Sequence, residues 1–369
     1  MANILDYIDW RGDLSIAAVP LCEADALVFS RAAYLPLDGL MGEDEGPVPL
    51  GGLYTRLCGE FERNEKRELI AGDDALCRKM ACAERYSGIG VACYVNRRDE
   101  ETEKQFSAVT FVLPDGIVVA FRGTDGTIVG WKEDFNMSFA GAVPAQSEAK
   151  AYLERVARRF GGEIRVTGHS KGGNLAVYAS AFCRREIKDR IISVRSHDGP
   201  GFTDDIAESA EYMEIIPRVR SFLPQSSVVG MLMSHREETV IVKSTVHALM
   251  QHDLYSWCVS RGGFETADEL TELGRFVDDT LKRWLKEMPA ERRGKMVDGI
   301  FRVLSAGGAV NTRDILAGRH SIEMIKEYRR LDDESRAVIG EALRVLRESA
   351  SHAERSRKKE KEQRSLAET

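Results

Sequence analysis

The stretch "EIRVTGHSKGGNLAVYASAFCRR", residues 163–185, joins a strand-like run to a helix-like run through Ser170, which stands among glycines. Its segment GHSKG fits the pattern G-x-S-x-G, a strand-turn-helix that exposes a nucleophilic serine above a sheet. Glycines suit so sharp a turn because side chains there would collide with the neighbouring strand and helix. A glycine-rich turn with a capping serine would match the same five letters, so the surrounding sequence has to decide.

Strand-like and helix-like runs alternate around this motif. The helix-like "SEAKAYLERVARRF" precedes it, and the strand-like "IISVRSHDG", "RVRSFLP" and "TVIVKS" follow, with a helical patch among them. Upstream, "FSAVTFVLPDGIVVAFRGT" places Pro114-Asp115-Gly116 between two apolar runs, which predicts a hairpin. The alternation predicts an α/β fold: a mostly parallel sheet covered by helices over roughly residues 85–258.

The two ends of the chain are predicted to be helical. From Glu23 to Tyr94 apolar residues recur mainly at spacings of three and four, which indicates a helical N-terminal lead-in. Beyond Gly262 the same periodicity returns with few strand signals. We therefore predict an α/β domain over residues 1–262, a helical C-terminal extension over 263–350, and a charged, disordered tail over 351–369.

Composition excludes several classes of protein. Hydrophobic residues make up 43% and charged residues 30%, as in soluble globular proteins. The formal net charge of −7 offers no basic surface for nucleic acid. The N-terminus has neither a basic start nor an apolar run, and no window approaches the ~20 apolar residues of a membrane helix. These features predict a cytoplasmic protein.

Cofactors are not indicated. The seven cysteines are scattered without a C-x-x-C pair or zinc spacing, and reduced thiols are the simplest interpretation. The segment "GWKEDF" lacks the ligand spacing of a calcium loop. No G-x-G-x-x-G follows a strand. We expect neither a metal nor an organic cofactor.

A serine hydroxyl needs a general base, usually a histidine oriented by a carboxylate. His252, in "LMQHDLYSW", follows the last predicted strands and is the favoured base, with His235 and His247 as alternatives. His169 adjoins Ser170 but is expected to face elsewhere on the turn.

Asp198 is the candidate acid because it follows "IISVRSH" at the carboxyl end of a strand, where catalytic groups of open α/β sheets collect. An ordinary turn aspartate in "DGPG" is the alternative.

An oxyanion hole would complete such a site. Its first donor is the backbone N–H of the residue after the nucleophile, here Lys171. Thr124, in the "RGTDG" that ends an earlier strand, is the candidate second donor. A plain strand-ending turn is the alternative for that segment.

The segments "VVAFRGTDGTIVGWKEDF", "VTGHSKGGNLA" and "QHDLY" together resemble the class 3 lipases. With "NILDYIDWRGDLS" and "DGPGF", residues 3–260 are similar to a bacterial family of lipase-like proteins of unknown function. The resemblance implies an α/β-hydrolase fold, Ser170 as nucleophile, His252 as base, and Thr124 and Lys171 as oxyanion donors. Class 3 lipases carry their acid one strand later than Asp198, where this chain has Gln225, Ser226 and Ser227.

Two hypotheses follow. The first is a serine hydrolase of carboxylic esters acting on a small-molecule ester or a lipid through an acyl-enzyme, with "SSVVGMLM" or the N-terminal helices as a lid. A water-soluble ester or thioester is an equal candidate. The second is a weakly active or inactive scaffold with a binding or regulatory role, contacting a protein partner through the C-terminal helices or tail.

Overall fold

The computed structural model describes residues 1–63, 72–99, 104–124, 143–246 and 248–271, with short stretches between 274 and 344. Within these residues, eight strands form one sheet. They are β1 (Val48–Pro49), β2 (Gly90–Asp99), β3 (Lys104–Leu113), β4 (Gly116–Phe121), β5 (Glu163–His169), β6 (Ile191–His197), β7 (Val219–Pro224) and β8 (Glu238–Val242). A separate ribbon pairs β9 (Val259–Ser260) with β10 (Gly263–Phe264).

The strands lie side by side in chain order. Strands β1 to β4 pair antiparallel, and β4 to β8 pair parallel. The predicted hairpin is present, because Leu113 pairs with Gly116 across the Pro114-Asp115 turn. The predicted α/β-hydrolase-like fold, a mostly parallel sheet covered by helices, is confirmed. The carboxyl ends of β4, β5 and β6 meet at one edge, which brings Thr124, Ser170 and Asp198 into one neighbourhood.

Helices cover both faces of the sheet. The N-terminal group comprises α1 (Ile4–Arg11), α2 (Glu23–Ala32), α3 (Leu50–Arg63), α4 (Asp73–Cys82) and α5 (Glu84–Ser87). The later group comprises α6 (Pro144–Arg159), α7 (Lys171–Phe182), α8 (Arg185–Lys188), α9 (Asp204–Ala207) and α10 (Ala210–Ile215). None of the helices described is long and apolar enough to cross a membrane.

Strand β4 shows why the sheet is covered twice. Successive side chains of a strand face opposite ways, so Ile117, Val119 and Phe121 pack with α6 and α7, while Val118 and Ala120 pack with the N-terminal helices. All six residues of the strand are buried. A continuous apolar run of this kind is typical of a strand buried on both faces.

The N-terminal helices belong to the core. Leu27, Val28 and Phe29 of α2 are almost completely buried, so α2 packs into the core. The sequence interpretation extended the helical lead-in to Tyr94, but residues 90–94 are already in β2. Their continuous burial, without alternating polar residues, removed the period-two signal that identifies most strands.

The chain beyond Gly262 stays attached to the sheet for several residues. Thr266 bridges to Val242 of β8, and the Thr271 N–H donates to the Gln225 carbonyl at 2.9 Å. Further on, α11 (Ser321–Arg330) agrees with the helical periodicity of the predicted extension. The predicted tail, residues 351–369, lies outside the described residues.

A buried carboxylate, Asp25, ties α2 to α5. Its two oxygens accept bonds from Arg85 Nε and Nη2, both at 2.7 Å. They also accept the Tyr86 hydroxyl at 2.6 Å and the Cys22 N–H at 2.8 Å. Both charged side chains are almost inaccessible to solvent. Such a pair depends on both partners, because either charge left alone in the interior would be uncompensated.

Replacing Asp25 with alanine is therefore expected to lower the free energy of unfolding by about 3–5 kcal/mol, the cost of leaving one partner of a buried pair alone. The exposed pair Asp9–Lys79 provides the control, since Asp9→Ala is expected to cost less than about 1 kcal/mol. Urea unfolding of both variants measures the difference. Equal costs would contradict this account of how α2 is held.

Candidate active site

Ser170 occupies the turn between β5 and α7, as the sequence predicts. Its backbone angles are φ 57° and ψ −131°, a strained conformation for a residue with a side chain. The Ser170 N–H donates to the His197 carbonyl at 2.9 Å, and the Ser170 carbonyl accepts from the Gly173 N–H at 2.8 Å. Neighbouring structure thus holds the turn in the geometry of a nucleophile elbow.

The glycines beside Ser170 are required by close approach. A Cβ on Gly168 would lie 2.0 Å from the Gly172 carbonyl oxygen. A Cβ on Gly172 would lie 2.1 Å from the carbonyl oxygen of Phe121, at the end of β4. Any side chain at either position would push α7 away from the sheet, as the sequence analysis anticipates.

The turn after β4 lies against the serine. A Cβ on Gly123 would come within 2.7 Å of the His169 carbonyl oxygen and 2.9 Å of Ser170 Cβ. Thr124 follows directly and is partly buried. The structure therefore places the candidate second oxyanion donor next to the elbow, although the rest of "RGTDGTIVGWKEDF", from residue 125, lies outside the described residues.

The side chain and the backbone N–H of Lys171 lie in different surroundings. The ammonium group is buried and donates to the backbone carbonyl and the side-chain Oε1 of Gln105 on β3, both at 2.9 Å. Its N–H lies at the start of α7. The positive end of the helix dipole also lies there. The role of Lys171 as an oxyanion donor stays a prediction.

The structure brings together the two predicted partners of the serine. His252 Nδ1 lies 2.6 Å from Asp198 Oδ2. Asp198 directly follows β6, has φ 50° and is almost inaccessible, while the His252 side chain is 29% exposed. The His252 ring also lies against the ring of His169, the residue before Ser170, with centroids 4.5 Å apart. The imidazole is thus fixed by a buried carboxylate beside the elbow.

Ser227 contributes to the site in a way that the sequence analysis missed. Its hydroxyl donates to Asp198 Oδ1 at 2.5 Å, and the Gly230 N–H donates to the same oxygen at 3.1 Å. In the comparison with class 3 lipases, residues 225–227 were noted only because they lack the carboxylate that those lipases carry there. In the structure, this segment after β7 orients the carboxylate that follows β6. No local sequence pattern signals such a contact between neighbouring strand ends.

The alternative bases are placed differently. His235 Nδ1 lies 2.8 Å from Glu237 Oε1. Burial opposes ionisation of Glu237, but hydrogen bonds from His235, Ser221 and Tyr212 lower its pKa to about 2. His235 is therefore bonded to Glu237 and not to Asp198. His247 lies outside the described residues.

The described residues contain no group of three or more His, Cys, Asp or Glu side chains able to hold a metal ion.

Comparison of the sequence with known protein families identifies the family of this chain. A family model described as Mbeg1-like matches residues 80–302. The chain belongs to the Mbeg1-like family. The matched range contains all five predicted site residues, and the predicted membership of a lipase-like family is confirmed.

Two solved structures resemble this Mbeg1-like protein. M37 lipase has 15% sequence identity and a TM-score of 0.36, over 57% of this chain and 69% of that one. Lip2 lipase from Yarrowia lipolytica has 12% identity and a TM-score of 0.35, over 69% of this chain and 90% of that one. No curated protein matches the chain. The bacterial origin expected from the sequence resemblance stays a prediction.

His197, which precedes Asp198, is completely buried in the Mbeg1-like protein. Its Nδ1 lies 3.0 Å from the Ser30 hydroxyl of α2, and its ring stacks on Phe222 with centroids 5.4 Å apart. Burial lowers the pKa of His197 to about 3. The unfolded chain, with an ordinary histidine pKa of about 6.5, binds a proton that the folded chain rejects between these values.

Stability should therefore fall as pH decreases from about 6.5 towards 3, by up to about 1.4 kcal/mol per pH unit for this one group. His197→Gln is expected to make the pH dependence of the unfolding free energy shallower by that amount. Denaturant unfolding at pH values from 4 to 7 checks the slope. Identical slopes for the two proteins would contradict the burial of a neutral His197.

Proposed function

We propose that the protein is a serine hydrolase of carboxylic esters that acts through an acyl-enzyme on Ser170. The observation that carries the proposal is the 2.6 Å contact between His252 Nδ1 and buried Asp198, made beside a strained serine elbow. A serine on such a turn has a purpose when a base is available to take its proton. The turn after β4 and the first N–H of α7 supply places for an oxyanion.

The reaction assigns one role to each group. Asp198 accepts the Nδ1–H of His252, which leaves Nε2 as the basic nitrogen. His252 Nε2 takes the proton of Ser170 as Oγ attacks the ester carbonyl carbon. The N–H groups of Lys171 and Thr124 stabilise the tetrahedral oxyanion. When the intermediate collapses, the alcohol leaves with the proton from His252. Water then repeats the sequence and releases the acid.

The surroundings of Asp198 support its role. Its Oδ1 is held by Ser227 and Gly230, so Oδ2 is directed towards His252. A carboxylate this buried stabilises the imidazolium that forms when His252 takes the proton, because solvent screens the pair poorly. The scaffold hypothesis was based on the lack of a carboxylate at residues 225–227 and on the additional C-terminal helices. Asp198 supplies one from the neighbouring strand, so the enzyme is the better supported function.

An apolar segment beside Asp198 favours an ester whose acyl chain is apolar. Val228, Val229 and residues 231–233, Met-Leu-Met, are all partly exposed. Gly230, in the middle of this segment, is bonded to Asp198. Met250, two residues before His252, is 68% exposed. We therefore assign the acyl side of the substrate to the segment 228–233, which the sequence analysis selected as a lid candidate.

Replacing Ser170 with alanine is expected to abolish ester hydrolysis, with a loss of at least about 10³-fold, because the attacking oxygen is removed. Turnover of p-nitrophenyl esters of short and long acyl chains measures this loss. Circular dichroism and the melting temperature should stay unchanged, since the Ser170 side chain supports no other element described. Serine-independent turnover would refute the assignment, and absence of turnover in the parent protein would favour the scaffold.

Two aspartates near His252 allow a matched comparison. Asp198→Asn should reduce kcat by about 10³–10⁴-fold, since the amide no longer fixes the productive tautomer of His252. Asp253 adjoins His252 in sequence, but its carboxylate accepts the Tyr255 N–H at 3.1 Å. Asp253→Asn keeps an acceptor there and should change kcat less than about twofold. Equal losses in both variants would remove Asp198 from the triad.

A further inference from the structure

His169, the residue before the serine, connects parts of the site that are distant in sequence. Its Nε2 lies 2.9 Å from the backbone carbonyl oxygen of His252, and its Nδ1 lies 2.9 Å from the Tyr34 hydroxyl. The Tyr34 hydroxyl in turn lies 3.1 Å from the N–H of Gly123. A continuous chain of hydrogen bonds thus joins the turn after β4 to the segment that carries His252. Tyr34, in the turn that follows α2, is the central link.

The direction of each bond follows from its partners. A carbonyl oxygen only accepts, so His169 Nε2 must carry the hydrogen that faces His252. Burial lowers the pKa of His169 well below the ordinary value, helped by the nearby charge of Arg31. The ring is therefore neutral and Nδ1 is an acceptor. Tyr34 donates its hydroxyl hydrogen to Nδ1 and accepts the Gly123 N–H.

We propose that Tyr34 and His169 are positioning residues that set the distance between the oxyanion turn and the catalytic base. This inference rests on the proposed function and deepens it. Gly123 immediately precedes Thr124, the second oxyanion donor, and the bonded carbonyl belongs to His252 itself. Both ends of the chain of bonds therefore stand within one residue of a group that acts on the substrate. Ser170 follows His169 directly, so the elbow is the third point held.

Side chains of α2 and α4 hold Tyr34 in place. The guanidinium of Arg31 lies over the Tyr34 ring, 4.5 Å from its centroid. Arg31 is bound by Asp73 of α4 through two bonds, at 2.7 and 2.5 Å. Asp73 also accepts the hydroxyl of Tyr255, three residues after His252, at 2.7 Å. Buried polar networks of this kind rigidify the groups that they join.

Tyr34 lies in the part of the sequence before the range that the family model matches. The family model matches residues 80–302, whereas Tyr34, Arg31 and Asp73 all precede that range. Tyr34 and the two residues that hold it thus precede the proposed reacting groups in the sequence, whereas His169 lies among them. Positional errors of a fraction of an ångström at such groups reduce catalysis without weakening substrate binding.

Kinetics of single and double variants test the proposal. Tyr34→Phe should lower kcat about tenfold, with KM changed less than about twofold, as expected for loss of transition-state alignment. His169→Phe removes both the donor to the His252 carbonyl and the acceptor for the Tyr34 hydroxyl. Because Tyr34→Phe and His169→Phe both break the bond between these two residues, the double variant should be hardly slower than His169→Phe alone. Independent, multiplying losses would overturn the proposal.

Ser30→Ala provides the matched control. Ser30 lies on α2, in the last turns before Tyr34, and is completely buried, and its hydroxyl contacts Thr167 and His197 rather than the Tyr34 chain. Its loss should lower the melting temperature as much as Tyr34→Phe does and leave kcat within about twofold. If Ser30→Ala lowered kcat equally, the effect of Tyr34→Phe would be one of general stability and the positioning role would be refuted.

Nitrogen-15 NMR of the imidazole rings separates this inference from the proposed function. At neutral pH, His169 should be the neutral tautomer with hydrogen on Nε2, and its Nδ1 signal should shift in Tyr34→Phe. A hydrogen on Nδ1 or a charged ring would overturn the positioning role even in an active hydrolase. A protein without ester turnover but with the expected tautomer would refute the proposed function, and the positioning role with it.

Discussion

The hydrogen bond between His252 and Asp198 is the interaction on which the site depends. It joins the end of β6 to a segment that lies beyond β8, so the sheet and its connections must be complete before it can form. The cost of burying Asp198 is offset by donors from Ser227, Gly230 and His252. The orientation of the His252 imidazole therefore depends on the arrangement of the strands that carry its partner.

The N-terminal helices serve both the fold and the site. They cover one face of the sheet, where a parallel arrangement would otherwise expose apolar strands. The same layer carries Arg31, Asp73 and Tyr34 to the rim of the site, where the segment of His252 is fixed. Asp25 holds α2 in the core, and Tyr34, which we propose as a positioning residue, follows directly after this helix.

The fold and the strand-turn-helix at Ser170 could be predicted because their signals are local. The glycine spacing around Ser170 and the strand and helix that flank it lie within two dozen residues, and the steric limits of a sharp turn explain them. Asp198 and His252 were selected by their places after strands. Ser227, Tyr34 and His169 were not recognised, since their roles arise from contacts between strand ends and a helix layer, which periodicity does not encode. Residues 90–94 were misjudged because burial on both faces hides strand alternation.

The central claim is that Ser170 is an activated nucleophile. A fluorophosphonate probe reacts with a serine hydroxyl when a neighbouring base removes its proton, and the adduct can be located by mass spectrometry of proteolytic peptides. The structure predicts one adduct per chain, on the peptide that contains Ser170, and no adduct in Ser170→Ala. Labelling that persists in Ser170→Ala, or a folded parent protein that takes up no probe, would contradict the account.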